Sequence, residues 1–458
     1  MTTHSIIKKS QLEGAKRIDA EYYQPEYLEI ARTLRATRHE TLKDVAKSLV
    51  SFGAYALTSF IEWREEGIPF ITAENIMDGF VDYDGVRFID EEVDEILKKS
   101  RVREGQVLLA MSGSVGNAAV AINIPPKLNS NQDIVKITPK DGFSPYVLAA
   151  FLNSHYGKKQ ILRLPVGSVQ QHIFLWQMQT MLVPVFDTEH VIAVESLYKK
   201  GLEERYVSHS LYSQAENLLL EGLGLKRFKS DEDLYSVVNF SNTRTANRID
   251  AEYFQPKYEK VVLRIKKNNA RKIGDLAEFV GHATQSPYDD AGDIAVLAQT
   301  HMKDNLAINT PAFSNFTKED LIKESDKKFI LKKGDVLISS AGEPGLTCVW
   351  TGDYRGKVIP GSFVTIARFR KDIEPLYSGV FLNTIAGRLQ FERDYTGSIQ
   401  QYVYPSKIKE ILIPVLPKMI QEEISDLVRK SQEARKKSKE LLEEAKHKVE
   451  EMIENKGR

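Results

Sequence analysis

Arg17-Ile18-Asp19-Ala20-Glu21-Tyr22-Tyr23-Gln24-Pro25 returns later in the chain as Arg248-Ile249-Asp250-Ala251-Glu252-Tyr253-Phe254-Gln255-Pro256, 231 positions on. Gly167-Ser168-Val169-Gln170-Gln171 returns as Gly397-Ser398-Ile399-Gln400-Gln401, 230 positions on. Between them, Glu104-Gly105-Gln106-Val107-Leu108 answers Lys333-Gly334-Asp335-Val336-Leu337 at a spacing of 229. Spacing this constant marks duplication of a domain-sized unit, not a short solenoid repeat. It predicts a pseudo-twofold molecule that does one job at two places.

Composition narrows the job. A chain of 458 residues holds two to four domains, and each copy is large enough to bury its own core. Hydrophobic residues make up 42% and charged residues 28%, the balance of an ordinary globular protein. Lysine and arginine total 63, as do aspartate and glutamate. A neutral chain does not coat nucleic acid as a polycation, but it can still read DNA with one basic or polar face. Cys348 is the single cysteine, so no intrachain disulfide forms, and a cytoplasmic location is expected. Met1–Ser10 has no long apolar run, and no segment reaches the length of a membrane span, so neither a signal peptide nor a membrane partner is expected.

Each copy divides into three parts. The opening motif leads into a short helix, with Pro25 and Pro256 at a first-turn position where a missing N–H costs nothing. Tyr27, Leu28, Ala31 and Leu34 recur at helical spacing, as do Tyr258, Val261, Val262 and Ile265. A mixed region follows, about 40–185 and 270–415. Its β-rich runs include Gln106–Ala110, Asp133–Ile137, Asp335–Ser339 and Phe363–Phe369. Helical stretches such as Tyr146–Asn153 and Tyr377–Thr384 lie between them, giving an α+β reading. A long helix closes each copy, about 188–221 and 418–454. In the second, Ile424, Leu427, Ser431, Ala434, Ser438, Leu441, Ala445 and Met452 form a heptad seam. Val194, Leu197, Leu211, Ala215 and Leu218 do so in the first, where Gly201 and Glu204 interrupt. A charged heptad helix is often just a surface helix. Two at matched places in a duplicated chain predict an antiparallel coiled coil between two similar globular domains. At 1.5 Å per residue the rod is ~50 Å, which separates two readers by on the order of a dozen base pairs. The expected domains are 1–186, 187–222 (spacer helix), 223–416 and 417–458 (spacer helix).

No catalytic or metal-ligating constellation stands out, and no cofactor is expected. Ser112-Gly113-Ser114-Val115-Gly116 follows a strand and could pass for a cofactor turn. Its counterpart Ser340-Ala341-Gly342-Glu343-Pro344-Gly345 argues against that, because Pro344 lacks a donor and Glu343 repels phosphate. Polar loop residues suited to base edges are more informative. In the first copy these are Ser51, Tyr55, Thr58, Thr72, Asn75, Ser112, Ser114, Asn131 and Gln132. In the second they are Thr284, Gln285, Tyr288, Gln299, His301, Ser340 and Glu343. Polar loops are usually only solvated, and His172 and His301 are more commonly satisfied histidines than functional ones. The signal is the pattern: the frame is kept and these loops differ, as two readers of different sequences require. The Gly-Ser-x-Gln-Gln elements, with Gln170, Gln171, Gln400 and Gln401, are alike and point to a shared role. That role is a structural turn or phosphate contact, with Lys158, Lys159, Arg163, Arg388 and Arg393 nearby in sequence.

Together the double opening motif, the double Gly-Ser-x-Gln-Gln element and the exits Val183-Pro184-Val185 and Ile413-Pro414-Val415 into long helices resemble the specificity subunit of type I restriction-modification systems. The resemblance covers essentially the whole chain. It implies a noncatalytic subunit with two target recognition domains on double-stranded DNA, each reading half of a split, asymmetric sequence. It implies docking of methylation subunits, two in number, which bind S-adenosylmethionine and methylate adenine, and of restriction subunits. The alternative is a single-chain S-adenosylmethionine-dependent DNA methyltransferase using Ser112–Gly116.

Overall fold

The computed structural model describes residues 4–10, 12, 17–52, 61–83, 85–165, 173–226, 228, 235–397 and 399–455. The chain forms two compact units. Unit 1 comprises residues 1–206 and 435–458, and unit 2 comprises 207–434. The boundaries fall inside the two long helices, Thr188–Gly222 and Lys418–Glu454, so each unit contains a part of both.

Unit 1 holds strands β1 (His39–Thr41), β2 (Ala46–Val50), β3 (Ile68–Ile71), β4 (Arg87–Ile89), β5 (Val107–Ala110), β6 (Ala118–Val120), β7 (Asn129–Ser130), β8 (Ile134–Pro139) and β9 (Leu182–Pro184). They form a four-stranded antiparallel sheet, β2-β8-β5-β6, a mixed sheet, β4-β3-β7, and the pair β1-β9. Unit 2 holds β10 (Ala270–Lys272), β11 (Ala277–Gly281), β12 (Ile294–Leu297), β13 (Phe316–Thr317), β14 (Val336–Ser339), β15 (Thr347–Val349), β16 (Val358–Pro360), β17 (Val364–Phe369) and β18 (Leu412–Pro414). Its sheets are β11-β17-β14-β15, β13-β12-β16 and β10-β18. The two topologies agree strand for strand. Even the irregularity agrees: the register slips between Ala46 and Ser48 in β2 and between Ala277 and Phe279 in β11.

The strands form where sequence patterning put them. Val107–Ala110 and Val336–Ser339 are continuous apolar or small-residue runs, buried at every position, as central strands covered on both faces require. A helix packs behind each large sheet, Pro145–Asn153 or Pro375–Asn383, with a second helix, His155–Arg163 or Ile385–Arg393, against it. Asn153 and Asn383, ending the first helix of each pair, do the same work. Asn153 accepts from the Ala118 N–H and donates to its carbonyl, at 2.9 and 2.6 Å. Asn383 does so with Thr347, at 2.9 and 2.8 Å. Gln160 and Gln390 bind both backbone groups of Leu182 and Leu412 in the same way. Fully buried side chains such as Leu34, Leu42, Phe151 and Phe381 each contribute about 1.5–3 kcal/mol by leaving water.

The long helices pair antiparallel within each unit. In unit 1 the Ser438 hydroxyl donates to the Gly201 carbonyl at 2.6 Å, while His190 shares a cleft with Glu451 and Met452. In unit 2 the Ser431 hydroxyl donates to the Ser208 carbonyl at 2.7 Å, and Gly222 lies against Leu416. The buried positions of the first long helix are Val194, Tyr198, Gly201, Leu202 and Ser208, then Tyr212, Ala215 and Leu219. In the second they are Gln421, Ile424, Ser425, Val428, Ser431, Ala434, Ser438, Leu442, Ala445, Val449, Met452 and Ile453. Val194, Ala215, Ile424, Ser431, Ala434, Ser438, Ala445 and Met452 thus lie on the seam as the heptads predict, whereas Leu197, Leu211, Leu218, Leu427 and Leu441 are half-buried and the next residue takes the inner place. Gly201 does not break it. The helix is continuous there, and the missing side chain admits Leu442 and Ser438.

Candidate nucleic-acid interface

In unit 2, β14 leaves the large sheet where β17 enters it, and β12 and β16 end beside them. The backbone stitches this end together. The Ser340 N–H donates to the Phe363 carbonyl at 2.8 Å, and its carbonyl accepts from the Val403 N–H at 3.0 Å. The buried Ser340 hydroxyl shares a 2.8 Å hydrogen bond with Thr365 Oγ1. Ala341 bridges Tyr402, Gly342 lies beside Gln299, and Gly361 lies beside Gln285. Thus Gln285, Gln299, Ser340 and Glu343 converge with the segment carrying Gln400 and Gln401. That segment is a closed loop: Thr396 and Tyr402 exchange both backbone hydrogen bonds, at 2.9 and 2.8 Å. Gly397 has φ +93°, and a Cβ there would meet the Gln400 carbonyl at 2.3 Å, so only glycine fits. Ile399 is fully exposed at the tip, beside the exposed Gln400 and Gln401. The Tyr395 hydroxyl anchors the loop base to the Pro344 carbonyl at 2.8 Å.

The opening motif grips the same loop. Arg248 forms a two-pronged pair with Asp250, at 2.8 and 2.6 Å, and its two terminal nitrogens donate to the Tyr395 carbonyl, at 3.2 and 3.3 Å. Arg248 and Arg393 both lie over the Tyr253 ring, at 4.7 and 4.5 Å. Unit 1 repeats this. Arg17 pairs with Asp19 at 2.8 and 2.6 Å and donates to the carbonyls of Leu164 and Pro165 at 2.9 and 3.1 Å. Tyr22 lies between Arg17 and Arg163, at 4.5 and 3.9 Å. Hydrogen bonds from these arginines hold the carboxyls of Asp19 and Asp250 below the ordinary range. Burial lowers the Arg163 guanidinium.

The corresponding end of unit 1 collects Thr72, Asn75, Ser112, Ser114, Asn131 and Gln132. The Asn131 N–H donates to the Ile71 carbonyl, and the Met111 N–H to the Asp133 carbonyl. Ser51 follows β2 and is half-buried. Tyr55, Thr58, Gln170, Gln171 and His172 lie outside the described residues. The turn Ser112–Gly116 closes the β5–β6 hairpin, with Leu109 opposite Ala118, so a strand and not a helix N-terminus follows it. That denies it the anion cradle of a nucleotide loop.

Several of the other side chains are engaged within the fold. Asn75 and His301 cap equivalent single turns. Asn75 accepts from the Thr72 N–H and donates to the Asp82 carbonyl. His301 Nδ1 accepts from the Ala298 N–H, which leaves Nε2 to donate to the Ala312 carbonyl. Burial pushes the His301 pKa down, keeping it neutral. Thr284 bonds Asp326, Lys158 pairs with Asp78, Lys159 with Glu26, and Arg388 with Glu343. Asn131 bonds Asp133, while Gln132 Oε1 is buried without a hydrogen-bond partner among the described residues. Tyr288 is exposed.

Sequence reasoning passed over an aromatic cluster at the unit 2 rim. Tyr402 stacks edge-on against Tyr404 at 4.8 Å and Phe363 at 6.3 Å, and both partners are exposed. Phe174, one repeat before Tyr404, and Trp176 are exposed in unit 1. The available signal was an aromatic at both 174 and 404, just after each Gly-Ser-x-Gln-Gln element. The stacking of Arg17 on Tyr22 and of Arg248 on Tyr253 was also missed, although these residues stand unchanged in both copies.

Residues 265–446 match the family described as the type I restriction modification DNA specificity domain. Over that stretch the chain is similar to the specificity domain. The match starts at the end of the helix Pro256–Lys266, spans β10 to β18 and runs into the second long helix, so the rim of unit 2 lies inside it. No curated protein sequence matches the chain. Among solved structures, the chain is similar to the type I restriction-modification S subunit from M. genitalium, at 12% identity over 91% of this chain and 95% of that one, with a TM-score of 0.40. It is also similar to the HsdS subunit from Thermoanaerobacter tengcongensis, at 14% identity over 92% and 97%, with a TM-score of 0.30. Among the described residues no helix is long and apolar enough to cross a membrane.

Proposed function

We propose that this chain is the noncatalytic specificity subunit of a type I restriction-modification complex. Its two units read the halves of a split, asymmetric DNA sequence, with recognition domains at 1–186 and 223–416 and spacer helices at 187–222 and 417–458. The observation that supports this most is that the units agree strand for strand while the turns over equivalent strand ends disagree. Ser112–Gly116 stands against Ser340–Gly345, and Asn131-Gln132 against Gly361-Ser362. In this reading the rim residues Gln285, Gln299 and Glu343 of unit 2, and Ser112, Ser114 and Asn131 of unit 1, approach base edges in a groove. The exposed aromatics Phe363, Tyr404, Phe174 and Trp176 pack against sugars or bases. Lys158, Lys159 and Arg388 are internally paired, and they reach phosphate only by leaving Asp78, Glu26 and Glu343. The partners are double-stranded DNA, two methylation subunits and the restriction subunits.

Exchange of residues 40–185 for the corresponding region of a relative tests this. Mapping of methylated adenines in cells carrying the exchanged complex will show one half of the target changed and the other retained. A change in both halves, or in neither, removes the reading. The isolated chain is expected to bind no S-adenosylmethionine in calorimetric titration, and saturable micromolar binding would favour a methyltransferase instead.

A further inference from the structure

The two motifs that first betrayed the duplication are one device. They lie roughly 150 residues apart in each copy, yet Arg248 of the opening motif holds the Tyr395 carbonyl two residues before Gly397. Arg17 holds the carbonyls of Leu164 and Pro165, three and two residues before Gly167. The ring of Tyr253 or Tyr22 fixes the second arginine of each set, Arg393 or Arg163, which ends the helix leading to the loop. An arginine held two-pronged by its own aspartate, with its remaining donors on a carbonyl, is a rigid bracket. What the unit 2 bracket presents is a loop locked by Gly397, with Ile399, Gln400 and Gln401 exposed at its tip. The side chains of Gln400 and Gln401 make no hydrogen bond among the described residues.

Resting on the DNA reading above, we propose that Arg248 is a positioning residue whose task is to present Gln400 and Gln401 to the sugar–phosphate backbone of the second half-site. The contact is independent of base sequence. Turns that differ between the copies serve targets that differ, and a loop that repeats serves what both targets share. The backbone is shared by every sequence. Glutamine amides donate to phosphate oxygens without carrying charge. They release no counterion, so losing them weakens binding equally at all salt concentrations. A lysine or arginine contact would instead change the salt slope.

The experiment uses the assembled complex on duplexes carrying the intact target, or the target with each base of the second half-site replaced in turn. The double variant Gln400→Ala/Gln401→Ala is expected to bind the intact target about tenfold more weakly, with an unchanged salt slope and an unchanged ranking of replaced bases. Arg248→Ala is expected to reproduce that signature and to speed amide hydrogen exchange at 395–402, while exchange at Arg163 and Leu164 of unit 1 stays as in the wild type. An altered base ranking in the double variant would make the loop a reader and overturn the proposal. So would faster exchange in Arg248→Ala with undiminished affinity, or unchanged exchange. Failure of the wild-type complex to bind the target would overturn the DNA reading itself, and the proposal with it. The double variant touches only exposed side chains, so it tests the contact even if Arg248→Ala does not fold.

Discussion

Gln106 and Asp335 occupy the same place in the two units, one residue before β5 and β14, and the chemistry around them differs. Gln106 accepts from the Arg103 N–H at 2.8 Å and donates to Thr138 Oγ1 at 3.1 Å. Asp335 accepts from the Lys332 N–H at 2.8 Å and receives both prongs of Arg368, at 2.6 and 2.7 Å, with that guanidinium over the Phe279 ring at 4.7 Å. The backbone contact is shared, and the cross-strand contact is neutral in one unit and ionic in the other. Lys136 and Ile366 make a second such pair, opposite Leu108 and Leu337 in equivalent registers. Ile366 joins its hydrophobic cluster, whereas Lys136 is equally buried and its ammonium rests on the Ser130 hydroxyl at 2.8 Å. The frame is thus set by backbone register and burial, and it tolerates different chemistry wherever those are satisfied.

The comparison makes its largest demand at the ionic site. Asp335 is 1% exposed and Arg368 13%, so Asp335→Ala leaves a largely buried guanidinium without its anion. The expected loss is about 3–5 kcal/mol. Gln106→Ala removes a neutral contact, with an expected loss of about 1 kcal/mol. Urea unfolding, with hydrogen exchange to localise the effect, distinguishes the two. Equal losses would mean that the ion pair adds nothing to the frame.

Lys136→Ile writes the unit 2 residue into unit 1 and is expected to stabilise it. Burial pulls the lysine pKa down to about 8. The group therefore carries its full penalty below pH 8, where the folded protein must hold a charge it disfavours. Between pH 8 and about 10.5 the unfolded chain binds a proton that the folded chain does not, so wild-type stability from this group rises with pH. The gain from Lys136→Ile is expected to be about 3 kcal/mol near pH 7 and to fade across that window. Unfolding at pH 7 and pH 10 measures it, and a gain that does not shrink with pH would assign it to packing alone.

These pairs also explain what was legible in the sequence. The duplication showed where chemistry cannot vary. The bracket arginines Arg17 and Arg248 and the glycine Gly397 each meet a geometric demand that no other residue type meets. Central strands such as Val107–Ala110 and Val336–Ser339 were legible from apolar runs bounded by turn residues. The exact seam of the long helices was not. Leu427 and Val428 are both apolar neighbours, and only packing decides that Val428 faces inward. The roles of Asn75 and His301 were equally hidden, because a polar residue in a loop looks the same whether it caps a turn or faces a ligand. The aromatic cluster of Phe363, Tyr402 and Tyr404 forms from two separate segments, so no local pattern announced it.

The smallest expected effect tests the helix seam, where Gly201 in the first long helix answers Ser431 in the second. Ser431 keeps a side chain and uses it to reach the Ser208 carbonyl. Gly201 receives Ser438 on its carbonyl instead, and a Cβ there would lie 2.9 Å from Leu442 Cγ and 3.3 Å from the Ser438 carbonyl. Two effects of Gly201→Ala oppose each other. Alanine is favoured over glycine inside a helix by about 1 kcal/mol. Forcing a methyl into a filled contact costs about 1–3 kcal/mol. The contact is with the branch point of Leu442, not its flexible end, so the steric cost prevails and a net loss of about 1 kcal/mol is expected. Adding Leu442→Ala removes the clash, so the double variant should lose less than the two single losses combined, which a double-mutant cycle in thermal unfolding measures directly. Additive losses would mean that Leu442 and Gly201 do not press on each other, and that the glycine is there for some reason other than close approach.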